Sequence, residues 1–545
     1  MPRIGPLSSI GLLLGTLLFA FSLTPSLVPR PLVFQGIIAG LSLATGYAIG
    51  SGLSALWAYL GLPGLTGRAR RLACWAAGGA SALIAAAFMW QAPGWQDAVR
   101  AQMGMASAGG VHPIGVAAIA AAIFTTALAL ARLFRQTFRL LARRLQPFVP
   151  PRVSSLLGIA VSLLLFWGFI DGVLVNLALR AADRSYQEVD ALIDSEHERP
   201  EVPVRTGSPI SPVAWQDLGR QGRSFVASGP QKAELEAFLG EAARTPIRIY
   251  IGLNAAETPE ARARLALREL RRTDAFERSV LVLATPTGSG WIDPGAVNAV
   301  EYLHRGDTAT VTAQYSYLPS PLALMVEGEY GVATARALFE TVYGHWTGLP
   351  EAERPALYLH GLSLGALHSD RSFDVYDIVQ DPFDGVLWSG PPFRSETWRT
   401  VTRRRDPGSP AWLPTFRDGE VVRFMNQHTG PDAGKGDWGP FRIAFLQYAS
   451  DPVTFLDPSI LYRRPAWLKA PRGPDVSAQL RWYPVVTLLQ IAADIGAGNA
   501  PPGHGHTYAA GDYVDAWFAL TEPEGWDRAE LARLRAHLGK GDDGG

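Results

Sequence analysis

The sequence predicts an α-helical membrane bundle at the amino terminus, followed by an α/β domain with a mostly parallel sheet and helices on both faces. Three observations carry that reading. Long apolar stretches dominate up to about residue 180 and then cease. Beyond residue 246, short strand-like runs alternate with helical ones, the pattern of a parallel sheet covered by helices. Within that alternation, Leu357 to Leu367 reads as a strand entering a Gly-x-Ser-x-Gly turn and leaving as a helix. The corresponding divisions are 1–180 for the membrane part, 181–246 for an extracytoplasmic linker and 247–545 for the α/β domain.

A chain of 545 residues is long enough for two or three domains. Its 49 basic and 49 acidic residues balance, which argues against a nucleic-acid partner, since that would favour a basic face. Cys74 is the only cysteine, so no disulfide can form within the chain and redox chemistry is set aside.

Five apolar runs are long enough to cross a bilayer, which takes about 20 helical residues. They are Ser8 to Leu27, Leu32 to Leu60, Leu72 to Trp90, Pro113 to Phe134 and Ser154 to Leu179. The first follows Arg3 as a signal peptide would, but no small-x-small cleavage site follows it, so it reads as a retained span. Arginines cluster between spans two and three (Arg68, Arg70, Arg71) and between four and five (Arg132, Arg135, Arg139, Arg143, Arg144, Arg152). The other two loops hold only Arg30 and Arg100. Because positive loops stay cytoplasmic, the amino terminus is expected inside and the α/β domain outside an inner cell membrane, in the periplasm. Gly36, Gly40, Ala44, Ala48 and Gly52 give span two a flat face, expected to pack within the bundle. Asp171, with Asn176 beyond it, is an intramembrane acid toward the outer end of span five. Leu133 to Leu145 is basic and amphipathic, which suits an anionic cytoplasmic leaflet.

From Arg180 to Pro246 five prolines interrupt a polar stretch, which reads as a tether with short helices at Tyr186 to Ile193 and Lys232 to Ala243. Strands are then expected at Ile247–Leu253, Ser279–Ala284, Thr308–Gln314, Ala356–His360, Gly385–Ser389 and Arg442–Ser450. Helices are expected at Pro259–Arg272, Pro294–Leu303, Pro321–Tyr343 and from the elbow to about Val379. A further helix is expected at Tyr513–Leu520.

The Gly361-Leu362-Ser363-Leu364-Gly365 turn alone is a weak signal. With 56 glycines, chance supplies such a pattern roughly a few tenths of a time, and Gly40-Leu41-Ser42-Leu43-Ala44 nearly repeats it inside an apolar helix. Ser363 differs in its surroundings. A serine on a cramped strand-to-helix turn needs small residues two positions either side, at the carboxyl end of a strand where parallel sheets bind ligands. It also needs a base and an orienting carboxylate, following it in the order Ser, acid, His. Asp451 follows the strand Arg442–Ser450 and is the candidate acid, ahead of Asp457 and Asp437. Gly503-His504-Gly505-His506 precedes the late helix, with His506 placed first as base and His504 second. Two backbone donors must face the developing oxyanion: the Leu364 amide, and an early loop where Thr287 and Gly288 are the candidates. That loop lacks the Gly-Lys-Ser/Thr ending of a phosphate cradle, so no nucleotide cofactor is expected. His504 and His506 have no third and fourth metal ligand nearby, which argues against a metal.

Five spans, Thr285-Pro286-Thr287-Gly288-Ser289-Gly290-Trp291, Gln314-Tyr315-Ser316-Tyr317, the elbow and the Gly-His-Gly-His run together resemble a bacterial family of membrane-anchored α/β-hydrolases with a multi-span amino-terminal domain. The resemblance covers nearly the whole chain and implies a serine-hydrolase domain on a membrane anchor. Pro391 to Gly439 occupies the place of a lid in that fold, and its Trp398, Trp412, Phe416, Phe424 and Trp438 read either as a satellite core or as an acyl-chain pocket. The expected substrate is a lipid or acyl ester reached at the membrane. The alternatives are an acyltransferase with the same residues, a silent hydrolase-fold binding module serving a transporter-like bundle through Asp171, and a metal hydrolase using both histidines. Nothing in the sequence sets an oligomeric state.

Overall fold

Prolines decide where the first apolar run stops being a helix. The computed structural model describes residues 7–107, 109, 113–148, 150–169, 185–192, 197–320, 322–323, 328–430, 434, 436–497 and 500–542. In it α1 spans only Ser9–Ser22, capped by the Ser8 side chain, which accepts from the Gly11 amide at 3.1 Å. Pro25, Pro29 and Pro31 follow, and the residue before a proline is pushed out of helical backbone, so the expected span Ser8 to Leu27 ends early. At 1.5 Å per residue α1 is about 21 Å long, short of a hydrocarbon core of about 30 Å.

Helices α2 (Leu32–Tyr59), α3 (Gly67–Gln102) and α4 (Pro113–Leu145) are long and apolar enough to cross a membrane, which fits a membrane protein. Helix α4 is unbroken, so the basic stretch Leu133 to Leu145 is its carboxyl end. Helix α5 covers Pro151–Phe169, and Asp171 and Asn176 lie outside the described residues. The small face of α2 is used within the bundle: a Cβ on Gly36 or Gly40 would come within 2.6 Å of Ile119 or Ile123 of α4. Gly52 faces open space.

The chain divides into two compact units, and the amino-terminal unit holds more than the amino-terminal residues. It comprises Met1–Ala178 together with Leu456–Leu468 and Pro474–Pro501. The later pieces bring a helix, Val486–Ala497, whose Gly496 sits against the Phe34 ring of α2.

The second unit is built on a sheet. Among the described residues its strands are β1 (Ile247–Ile251), β2 (Val280–Thr285), β3 (Thr308–Ala313), β4 (Ala356–Leu362), β5 (Gly385–Ser389), β6 (Val422–Met425) and β7 (Arg442–Leu446). They lie in the order β1-β3-β2-β4-β5-β7-β6, every pair parallel. The strands are buried nearly throughout, as a parallel sheet covered on both faces requires. Alternate residues serve opposite faces. Val280 and Val282 join a core with Ala296, Val300, Val514 and Trp517 of the helices Pro294–Leu303 and Ala510–Thr521. Strand β6 lies within the stretch expected as a lid, so that stretch contributes the sheet edge.

Residues 197–246, expected as a tether, are packed. The buried Arg205 donates to the carbonyls of Val226 (2.8 Å), Gly229 and Pro230 (3.0 Å each), and its backbone bridges to Arg248 of β1. Arg248 in turn pairs with Glu301 at 2.8 Å and donates to the Phe225 carbonyl at 2.8 Å. Buried guanidinium groups answered by carbonyls and a carboxylate hold this segment down, and a hydropathy reading does not see them.

Candidate active site

Ser363 occupies a backbone conformation that an ordinary residue avoids, with φ 56° and ψ −123°. The flanking glycines explain how the chain reaches it. A Cβ on Gly361 would lie 2.5 Å from the Gly365 backbone, and one on Gly365 would lie 2.2 Å from the Thr285 carbonyl oxygen at the end of β2. No side chain fits at either position. The Ser363 amide donates to the Ser389 carbonyl at 2.9 Å, tying the turn to the end of β5. The helix that follows, Leu364–Asp370, starts on Leu364, whose amide has no partner inside the helix and is available to an oxyanion. The near-repeat around Ser42 lies inside α2, with no strand before it.

Asp451 is fully buried just past β7 and accepts five hydrogen bonds. Its Oδ1 takes the amides of Val453 (2.8 Å) and Thr454 (3.4 Å), while Oδ2 takes the Thr454 hydroxyl at 3.3 Å, the Tyr508 hydroxyl at 2.7 Å and His506 Nδ1 at 2.8 Å. Such a donor set fixes the carboxylate in orientation. With Nδ1 tied to Asp451, the other ring nitrogen of His506 is the one free to accept a proton. Nε2 is buried and has no hydrogen-bond partner among the described residues. The ring itself is 26% exposed. His504 is not among the hydrogen-bond donors to Asp451; its backbone bridges to Thr507, closing the turn that presents His506. Asp457 caps a short helical turn by accepting the Ser459 amide at 2.8 Å.

The early loop is placed where an oxyanion donor is needed, but its two candidate amides are engaged. Thr287 N–H donates to the Trp291 carbonyl at 2.9 Å and Gly288 N–H to the Ser320 hydroxyl at 3.1 Å. The tight turn closed by Gly290 consumes the first and Ser320 the second, so of the three expected donors only the Leu364 amide heads a helix with its proton uncommitted there.

Two residues beside the pair had no signal strong enough to be found in the sequence. Tyr508 stands two residues after His506 and donates to the same carboxylate oxygen. Burial, and then the charge of Asp451, push its hydroxyl well above the ordinary tyrosine value, so it remains a proton donor at any working pH. Gly390, just past β5 with φ 50°, would press a Cβ to 2.6 Å from His506 Cε1 and 3.0 Å from Asp451 Oδ2. The glycine keeps room for the acid and base to meet.

The aromatic residues of 391–439 are largely absorbed by the fold. Trp398 donates from its buried ring to Gln447 at 2.6 Å, Phe424 stacks on Phe445 at 5.0 Å between centroids, and Trp438 donates to the Val421 carbonyl at 3.0 Å. These contacts follow the satellite-core reading. Two other histidines of the unit are buried in it: burial lowers His360, whose Nδ1 lies 2.9 Å from the Leu387 carbonyl, and His368 to about 4 each. Among the described residues, no group of three or more His, Cys, Asp or Glu side chains can hold a metal ion.

Comparison with known families places these elements in context. Residues 247–534 match the model of an alpha/beta-hydrolase family, and residues 23–230 match the model of the N-terminus of an alpha/beta-hydrolase family. No curated protein and no solved structure matches. The first of the two family models covers more than half of the chain, and the sheet order, the elbow and the acid–histidine pair lie within it: the chain belongs to an alpha/beta-hydrolase family that has a distinct amino-terminal region.

Proposed function

We propose that this hydrolase is a membrane-anchored serine hydrolase of the carboxylic-ester type, acting on acyl or lipid esters through an acyl-enzyme on Ser363. The observation that carries the reading is the His506 Nδ1 to Asp451 Oδ2 hydrogen bond of 2.8 Å, which leaves Nε2 as a base in the domain where a strained elbow presents Ser363. In the first half-reaction Ser363 Oγ attacks the ester carbonyl carbon while its proton passes to His506 Nε2. The Leu364 amide faces the resulting oxyanion. Collapse breaks the carbon–oxygen bond of the leaving alcohol, which takes the proton from His506. Water then attacks the acyl-enzyme, giving up a proton to His506; the bond between the acyl carbon and Oγ breaks, Oγ takes that proton back, and the carboxylic acid leaves.

Membrane anchoring belongs to the same proposal, supported by three long apolar helices. The arginines between α2 and α3, and in and after the carboxyl end of α4, favour cytoplasmic loops there; with the apolar run Ser154 to Leu179 as a further crossing, this reading puts the catalytic unit on the periplasmic face of an inner membrane. An ester within or beside the outer leaflet is the substrate class within its reach. An acyltransferase would share each step up to the acyl-enzyme and differ only in the acceptor hydroxyl.

The test is labelling of the full chain in detergent micelles with a fluorophosphonate. Wild type is expected to label and Ser363→Ala to stay blank, and an acyl-ester panel with and without alcohol acceptors then separates hydrolysis from transfer. Well-folded wild type that resists the probe would overturn the serine mechanism and favour a silent binding module.

A further inference from the structure

Asp451 and His506 are 55 positions apart, and apart from Lys469–Gly473 the chain between Phe455 and Pro502 belongs to the amino-terminal unit. A path of that length gives the pair no local constraint, so contacts inside the catalytic unit must set the register of the returning chain against the entropy of a long loop. One short stretch does so. Tyr448, Ser450 and Asp451 continue the chain past β7, and all three are fully buried. The stretch is itself tied to the sheet. The Gln447 amide donates to the Met425 carbonyl of β6 at 3.0 Å, the Gly390 amide to the Leu446 carbonyl of β7 at 2.9 Å, and the Asp451 amide closes back on the Tyr448 carbonyl at 3.1 Å.

The turn carrying His506 is fastened to this stretch on both sides. Ahead of the histidine, the Gly505 amide donates to Ser450 Oγ at 2.8 Å. Behind it, the Ala509 amide donates to the Tyr448 hydroxyl at 3.0 Å. Between them lie the bonds of His506 and Tyr508 to Asp451. The Tyr448 hydroxyl has one proton, which goes to Asp512 and leaves the oxygen lone pairs for the Ala509 amide. Burial, and then the charge of Asp512, push this hydroxyl well above the ordinary tyrosine value, so it keeps that proton. Its ring stacks on Tyr508 with centroids 4.5 Å apart. Within the turn, the Gly503 amide donates to the Thr507 carbonyl at 2.9 Å and the Thr507 amide to the His504 carbonyl at 3.1 Å. A turn closed on itself and pinned at both ends has little freedom left, so the backbone as well as Asp451 aims the imidazole.

We propose that Ser450 and Tyr448 are positioning residues for His506: by accepting the amides on either side of it, they hold the imidazole on Asp451 and set Nε2 to take the proton of Ser363. Acid and base are then placed by one rigid stretch of chain, whatever path joins them. The proposal deepens the serine-hydrolase reading and rests on it. Neither hydroxyl meets substrate in this scheme, so their loss is expected in acylation and not in substrate binding.

The experiment uses the full chain in detergent micelles, with fluorophosphonate labelling rate, kcat and KM for a p-nitrophenyl ester, and the thermal transition measured for each variant. Ser450→Ala is expected to label roughly tenfold more slowly and to lose kcat in proportion, with KM within about twofold of wild type. Phe424→Ala, which truncates a ring stacked on Phe445 at the sheet edge, is the destabilised comparison and is expected to label at the wild-type rate per folded molecule. Tyr448→Phe by itself would leave Asp512 buried without its donor, so it is combined with Asp512→Asn. The double variant is expected to label roughly fivefold more slowly than Asp512→Asn alone. Ser450→Ala labelling at the wild-type rate, a slowing that Phe424→Ala shares at an equal loss of thermal stability, or a rise in KM with kcat unchanged would overturn the positioning role while leaving the serine mechanism standing. If Ser450→Ala fails to fold, the Tyr448 comparison decides, and equal rates for the double variant and Asp512→Asn overturn it. Wild type that fails to label removes the serine mechanism, and the positioning role with it.

Discussion

Single residues around Asp451 do unequal work. Tyr508 donates one of three bonds to the oxygen that holds His506, and a hydrogen bond to a charged group contributes about 1.5–3 kcal/mol. Tyr508→Phe is therefore expected to lower kcat roughly tenfold or more with KM unchanged, since the ring and its stacking on Tyr448 remain. Steady-state kinetics on the ester panel check this, and a rise in KM alone would contradict it. Asp512 gives a stability prediction. Burial raises it to about 6 against the relief of the Tyr448 hydroxyl that donates to it; Asp515 adds to the rise, while His428 and Arg535 oppose it. The folded state thus binds this proton more tightly than the unfolded chain does. Its contribution is full below the ordinary carboxylate value, falls as pH rises toward about 6 and is then level, a loss of at most about 3 kcal/mol. Asp512→Asn is expected to melt higher than wild type at pH 7.5, with the gap closing toward pH 4. An equal gap at both pH values in thermal melts would contradict the assignment.

At the level of elements, β6 separates two views of 391–439. A lid folds over a site and can be trimmed with little effect on the domain, whereas an edge strand is part of the core. Phe424 of β6 is buried and stacked on Phe445 of β7, and truncating a core phenylalanine costs about 3–5 kcal/mol. Phe424→Ala is expected to lower the thermal transition by several degrees while leaving the chemistry of bound ester intact in the folded fraction. An unchanged transition with altered chain-length preference would return the region to the lid reading. The strands and helices that carry the site were legible because each has its own local signal. The helix Pro259–Arg272 lies where it is expected, and its Thr258 cap, its proline at the first position and Arg271 and Arg272 in its last turn are local features of that kind. Strand β6 was missed because an edge strand of four residues offers little periodicity. The first span was drawn too long because apolar composition outweighed the prolines that end it.

For the molecule as a whole, the arginine pattern implies a topology that reporter fusions can test. If the proposed topology holds, an alkaline phosphatase fused after the α/β unit is expected to be active and a green fluorescent protein dark; the opposite pair of results would invert the topology. The order Ser, acid, His along the chain, the elbow glycines and the alternation of strands with helices were all readable without coordinates, because each is a local pattern with a local cause. What only the tertiary structure decided depends on residues far apart in sequence. It distinguished His506 from His504, since only His506 reaches the buried carboxylate of Asp451. It turned the Thr287 and Gly288 amides inward, and it set Gly390 and Tyr508 against the acid and base. It also showed the chain between Asp451 and His506 to be built largely into the amino-terminal unit through Arg30 and Asp494. A buried ion pair between residues more than four hundred positions apart leaves no trace in local periodicity or composition, so no reading of the sequence by itself had the means to find it.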